Sequence, residues 1–214
     1  MILILGGGAI AEKGIVPVVG GYVIGPDGFD ITSPYLVNEA LSRGKVDTVV
    51  VTAGVSHPHS VEDSVPNHWW YEIEVNLRGA YNVAKASIAH DVRTMIFIAS
   101  VAGLYGKPNH SGYSASKGGV ISLVQSLGME GHNAYAVSPG RVDTPMRERD
   151  YPGEDPRTRL QPEQVGQVVA QILNGEFEPG DNIIIRKIGY DTFQRVDRGE
   201  PWRSYLAVGQ PVVF

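Results

Sequence analysis

The chain has 214 residues, 43% of them apolar, a formal net charge of -5 and no cysteine. That length and apolar content suit one domain with a real core, the charge leaves no Lys/Arg footprint for DNA, RNA or an anionic membrane, and disulfides and thiolate metal sites are excluded. No apolar run is long enough to span a bilayer, and the start Met1 to Leu5 is too short for a signal core, so the expectation is a cytoplasmic protein that acts on small molecules.

Met1 to Leu5 reads as a short buried parallel strand, and Gly6-Gly7-Gly8 after it lets backbone approach a ligand closely. Taken as Gly6-x-Gly8-x-x-Ala11, the segment fits a loose dinucleotide fingerprint, in which glycines make the turn and helix N-terminal amides face a pyrophosphate. Pro17 and Gly20-Gly21 break any long helix, so residues 9 to 29 hold at most a stub helix and one or two short strands. Thr32-Ser33-Pro34 is a good helix start, and residues 34 to 43 suit a short helix ending at Gly44. Val46 to Val51 is a buried strand that ends in the small-residue turn Thr52-Ala53-Gly54. The following loop carries His57, His59 and His68, but no carboxylate or cysteine stands at ligand spacing, and no metal is expected.

Trp69 to Ala89 is a long helix with apolar residues on more than one face, including Trp69, Ile73, Leu77, Tyr81, Val83 and Ile88. Two covers are implied, and another subunit is a candidate for one. Val92 to Ala99 is a strand that delivers Ser100. The helix after it, Tyr113 to Glu130, sets Tyr113 and Lys117 one turn apart on one face. A free tyrosine, with a pKa of about 10, is a poor base at neutral pH, and a lysine ammonium beside it favours the phenolate. Ser100 at the strand end can hold an alcohol or carbonyl oxygen against the tyrosine, which is the geometry proton transfer requires. Three residues can thus share one task, although a tyrosine one turn from a lysine, taken alone, more often just covers a helix face.

Asn133 to Ser138 reads as a strand running into the sharp turn Pro139-Gly140, with Val142 and Thr144 beyond it. Residues 145 to 160 are rich in Arg, Asp, Glu and Pro without periodicity; Arg147, Arg149, Arg157 and Arg159 are either contacts for an acidic substrate or solvated charges. Pro162 to Asn174 suits a helix and Asn182 to Ile188 the last buried strand. The tail 189 to 214, with Trp202 and Val212-Val213-Phe214, either packs on a partner subunit or closes a cleft.

Ser100-Val101-Ala102-Gly103, then Tyr113-x-x-x-Lys117 thirteen positions beyond the serine, together resemble the classical short-chain dehydrogenase/reductase family. Three further segments fall in the family's order along the chain: Thr52-Ala53-Gly54 where it has Asn-Asn-Ala-Gly, Val75-Asn76-Leu77, and Pro139-Gly140 through Thr144. The resemblance implies one Rossmann-like α/β domain, a doubly wound parallel sheet over residues 1 to 214 shortened in its N-terminal half. It implies an oxidoreductase that passes hydride between NAD or NADP and a carbonyl or alcohol substrate, with Asn76, Ser100, Tyr113 and Lys117 catalytic.

The same resemblance assigns Gly6, Gly8, Asp30, Ala53, Gly54, Tyr113, Lys117, Pro139, Gly140, Val142 and Thr144 to the cofactor. Asp30 closes a segment, Phe29 to Thr32, that resembles the family's third strand end beside the adenine; its other reading is a cap on the next helix. The backbone carbonyl of Asn76 would hold a water linking Lys117 to solvent, or the residue marks a kink. Residues 145 to 160 occupy the place of the substrate-covering segment, and a homodimer or homotetramer is implied. Departures fall early: residues 6 to 30 are abbreviated, and Thr52 replaces an asparagine. They motivate the rival expectation of a non-enzymatic binding or scaffold protein that has lost efficient dinucleotide capture.

Overall fold

The computed structural model describes residues 1–188, together with the strand pairs 192–193 and 204–205. Strand β1 (Ile2–Leu5) leads into a π-helical turn (Ile10–Ile15) and a single α turn, α1 (Val16–Val19), before β2 (Tyr22–Ile24). Pro17 and Gly20 account for the brevity: proline fits only the first turn, and Gly20 leaves the helix at a positive φ of 72°. Helix α2 (Pro34–Ser42), capped by the Ser33 hydroxyl, precedes β3 (Thr48–Val51).

Next come α3 (Pro66–Ile73), a π-helical turn (Glu74–Arg78), α4 (Gly79–Ala89), β4 (Thr94–Ile98), α5 (Ser111–Met129) and β5 (Ala134–Pro139). Residues 145 to 160 are more regular than their composition suggests, with α6 (Pro145–Asp150) started by the Thr144 hydroxyl. Helix α7 (Pro162–Leu173) and β6 (Asn182–Ile185) follow. The strand expected over 182–188 is broken at Arg186, beyond which β7 (Lys187–Ile188) pairs antiparallel with β8 (Thr192–Phe193) instead of prolonging the sheet.

The main sheet runs β2-β1-β3-β4-β5-β6, extended by β9 (Ser204–Tyr205), with every pairing parallel. Side chains alternate between its faces. Leu3, Leu5, Val49, Val51, Met95 and Phe97 pack with α2, α4 and α5; Ile4, Val50, Ile96, Tyr135, Val137 and Ile183 pack with the π turn and α7. This is the expected doubly wound architecture, apolar on both faces. Register aligns Leu5 with Val51, Val51 with Phe97, Ile98 with Val137 and Pro139 with Ile185, so the loops that follow open at one edge. There, beyond the carboxyl ends of the strands, such sheets bind ligands.

The abbreviated region is as short as its breakers require. One expectation fails: Phe29 to Thr32 forms no strand. Asp30 sits in a turn, where its carboxylate accepts from both the Thr32 amide and the Thr32 hydroxyl at 2.8 Å. A short acidic side chain with a hydroxyl two residues on closes a local loop that competes with strand pairing.

Candidate active site

A cleft of about 700 Å³ opens at the carboxyl edge of the sheet. Ser100, Tyr113 and Lys117 line it together with Gly54, Pro139, Gly140, Val142 and Thr144. Asn76 lies behind this wall, and Gly6, Gly8, Ala53 and Asp30 lie outside its lining. The chemistry-bearing residues are therefore brought together, whereas the residues expected around the adenosine are not gathered into the same cavity.

Ser100 is presented by the end of β4, where its Oγ accepts from the Ala102 amide at 3.1 Å and starts a 3-10 turn. Helix α5 places Tyr113 on its first turn, and the Ser100 hydroxyl hydrogen-bonds the phenol. One turn on, buried Lys117 donates from Nζ to the Ile98 carbonyl at 2.8 Å, and its ammonium lies 5.7 Å from the centre of the Tyr113 ring. Burial pushes Tyr113 up to about 12, against the Ser100 hydrogen bond, and burial brings Lys117 down to about 8. The expectation that Lys117 lowers the tyrosine is thus reversed in the free protein, because desolvation outweighs an ammonium aimed at a backbone carbonyl. Tyr113 is a phenol at neutral pH.

Asn76 sits in the π-helical turn, a local widening that recurs at functional sites. Its side chain accepts from the Val55 amide at 2.8 Å, donates to the Val55 carbonyl at 2.9 Å and donates to Ser116 Oγ at 3.0 Å. The Ser116 hydroxyl in turn donates to the Tyr113 carbonyl at 2.8 Å. Asn76 thereby locks the turn after β3 to the helix that carries Tyr113 and Lys117. Gly54 lies between them: a Cβ there would stand 3.3 Å from both Asn76 Oδ1 and Lys117 Nζ, a tight contact that either side chain must give way to accommodate.

Thr52 replaces the asparagine amide with a hydroxyl, and that hydroxyl donates to the Gly6 carbonyl at 2.8 Å. Gly6 holds a φ of +110°, and a side chain on it would run into Ala53. The turn after β3 and the glycine loop after β1 are thus joined without the amide. Gly8, with φ of +90°, offers its amide to Glu12 Oε1 at 3.2 Å. This carboxylate stands at the loop where a pyrophosphate is expected.

Several residues here escaped the sequence reading. Glu72 is buried under the catalytic helix and accepts from the His57 amide at 2.7 Å and from the Tyr113 amide. It serves as an acceptor for the first turn of α5, where Ser111 Oγ is engaged by the Trp69 indole at 3.0 Å. Burial raises its carboxyl above the usual range. The one signal was an acid three residues after Trp69, on an otherwise apolar stripe.

His57 and His68 stack with ring centres 5.1 Å apart, and burial lowers His57. Among the described residues no group of three or more His, Cys, Asp or Glu could hold a metal ion. Nor is any helix among them long and apolar enough to cross a membrane.

The four arginines of 145 to 160 are taken up within the chain. Arg147 meets Glu154 at 2.7 Å, Arg149 meets Asp150 at 2.8 Å and Arg157 meets Asp155 at 2.9 Å. Arg159, 1% exposed, binds Asp143 at 3.0 Å and Glu148 at 2.7 Å. They organise the segment over the cleft, and Arg149 pins it to the Ser56 carbonyl at 2.9 Å.

Comparison with known proteins identifies the family. The family model described as short chain dehydrogenase matches residues 32–155, more than half of the chain, and the chain belongs to that family. It is 31% identical over 150 residues to a 3-oxoacyl-[acyl-carrier-protein] reductase of Thermotoga maritima, covering 62% of this chain and 61% of that protein. It is 33% identical over 121 residues to a (-)-trans-carveol dehydrogenase of Rhodococcus erythropolis, covering 51% and 44%. The chain thus spans about three-fifths or less of the length of these curated relatives. The fold superposes on the ligand-free aldohexose dehydrogenase of Thermoplasma acidophilum with a TM-score of 0.70 at 24% identity, over 86% of this chain and 91% of that one. On a Brucella melitensis 3-oxoacyl-[acyl-carrier protein] reductase with bound NAD the TM-score is 0.67 at 22% identity, over 86% and 88%.

Proposed function

We propose that the chain is a nicotinamide-dependent oxidoreductase acting on a carbonyl or alcohol, with Tyr113 moving the proton. The observation that carries this reading is the convergence of Ser100, Tyr113 and Lys117 on one cleft wall, with Asn76 bracing it from behind. It weighs against a non-enzymatic scaffold, which has no use for a buried lysine.

The residues present fit the nicotinamide end of NAD or NADP. Gly54 leaves room beside Lys117, Pro139 and Gly140 close the far wall, and Val142 and Thr144 continue it. When bound, the nicotinamide supplies or takes the hydride. The chain does the rest: Ser100 and Tyr113 hold the substrate oxygen between two hydroxyls, and the protonated phenol gives its proton as negative charge grows there. In the reverse direction Tyr113 takes that proton. Lys117 then stabilises the phenolate and holds the ribose.

The glycine loop, with Gly6, Gly8 and the turn residue Ala53, faces the remainder of the cofactor, and Asp30 lies toward its adenosine end. Residues 145 to 160 cover the substrate. Exposed Trp70, Tyr71, Tyr81 and Ile88 on α3 and α4, with Met129 on α5, support pairing with a second copy, to be checked by light scattering. The reading as a whole is tested by titrating the protein with reduced NAD and NADP under nicotinamide fluorescence. Binding is expected with at least one, and its absence at millimolar concentration overturns the reading.

A further inference from the structure

The cleft holds a second constellation, beside Tyr113 and away from Lys117. His110, buried at the start of α5, donates from Nδ1 to the Pro108 carbonyl at 2.9 Å, which leaves Nε2 as an acceptor. The Tyr151 hydroxyl lies against the imidazole, 3.2 Å from Nε2 and 3.4 Å from Nδ1, and the two rings stack with centres 5.5 Å apart and planes at 6°. Lys107 donates from Nζ to the same Tyr151 oxygen at 3.1 Å. Arg147, itself held by Glu154, covers the Tyr151 ring at 3.6 Å. Stacking on His110, the hydrogen bond from Lys107 and the Arg147 guanidinium together fix the place of Tyr151.

An ammonium has three donors, and this chain uses one on Lys107. No carboxylate of the described residues pairs with it. The acid that lines the cleft, Asp150, is engaged by Arg149 at 2.8 Å, and Arg141 and Arg147 share Glu154. A half-buried cation with spare donors, lining the same cleft as Ser100 and Tyr113 and set on an aromatic base, is built to receive an anion. His110 brings the group within reach of the chemistry, its ring centre 6.3 Å from that of Tyr113.

We infer that Lys107, set by Tyr151 and His110, recognises an anionic group on the substrate, so that the substrate is an oxo or hydroxy compound bearing a carboxylate or phosphate close to the reacting carbon. This rests on the proposed reaction for the word substrate, but the anion site is measurable without turnover. Acetoacetate against methyl acetoacetate, and hydroxyacetone phosphate against hydroxyacetone, are titrated calorimetrically into the full chain with and without reduced cofactor.

At least one charged member should bind about tenfold or more tightly than its neutral counterpart. The gap should vanish in Lys107→Met and return in large part in Lys107→Arg. The pair that shows the gap identifies the anion as carboxylate or phosphate. Equal affinity within both pairs, an unchanged gap in Lys107→Met, or no binding by any of the four compounds overturns the inference. Tyr113→Phe separates the two ideas: it should keep the affinity gap. A gap in a protein that turns over none of the four would leave the anion site standing and count against the reaction.

Discussion

The catalytic wall and the glycine loop are built from the same sheet edge but by different means. Around Tyr113 the contacts reach across the chain: Asn76 ties Val55 to Ser116, and Glu72 ties His57 to Tyr113. At Gly8 and Asp30 the side-chain contacts are local, Glu12 closing on an amide four residues away and Asp30 on a threonine two residues away, and the longer reach to the glycine loop is that of the Thr52 hydroxyl to the Gly6 carbonyl. The family match begins at residue 32, so it includes the first region and not the second. A site that must hold three side chains in register needs support from distant elements, because a single helix turn fixes spacing but not distance to a strand end. A loop whose proposed part is only to offer amides to an anion can be short.

The comparison is broken most directly at Tyr113. Tyr113→Phe keeps the ring and loses the proton, and kcat/KM on any substrate found should fall about a thousandfold with an unchanged melting temperature. An activity within a few-fold of the parent would remove the catalytic wall from the account.

Lys117 supplies the next largest effect. Burial favours its neutral amine, so between pH 8 and the ordinary value of 10.5 the unfolded chain binds one proton more than the folded one. Stability should therefore rise with pH across that window relative to Lys117→Met, by about 1 to 3 kcal/mol, as read from urea melts of both proteins. A difference that stays flat or falls would mean that the amine stays charged throughout.

Glu72→Ala leaves the His57 and Tyr113 amides without their acceptor, which should cost about 2 kcal/mol in urea unfolding, with Glu72→Gln recovering part of it. If the alanine variant is as stable as the parent, the carboxylate is not the brace of the catalytic helix. The smallest effect tests the other region. Glu12→Gln removes a negative charge from the loop proposed to face the cofactor pyrophosphate, and reduced cofactor should bind about two- to fivefold tighter, the gain shrinking with salt. Weaker binding would show that Glu12 orders the loop rather than opposing the anion.

Much of the fold was legible from local pattern. The strands Ile2–Leu5, Thr48–Val51, Thr94–Ile98 and Ala134–Pro139 stand where continuous apolar runs meet small-residue turns, since a parallel strand covered on both faces has no polar side to break the run. Breakers at Pro17 and Gly20 announced the stub helix. The strand expected at Phe29 to Thr32 failed because the Asp30 and Thr32 side chains satisfy the backbone within a turn, and the last strand ended early at Arg186. In the site, spacing alone put Tyr113 and Lys117 on one face. Glu72, Lys107, His110 and Tyr151 stayed invisible, since their meaning lies in partners far off along the chain.

The sequence by itself determined the strands of the sheet, the order of its motifs and the one-turn spacing of Tyr113 and Lys117, because strand periodicity and helix spacing are properties of neighbours in the chain. Tertiary structure alone decided the protonation of that site and the company around it. Burial sets Tyr113 as a phenol and weakens the hold of Lys117 on its proton, and no local pattern reports how much protein lies above a side chain. Arg147 and Arg159 turned from candidate ligands into scaffold because the carboxylates of Glu154, Asp143 and Glu148 reach them only when the segment folds, whereas Arg149 and Arg157 pair with acids one and two residues away.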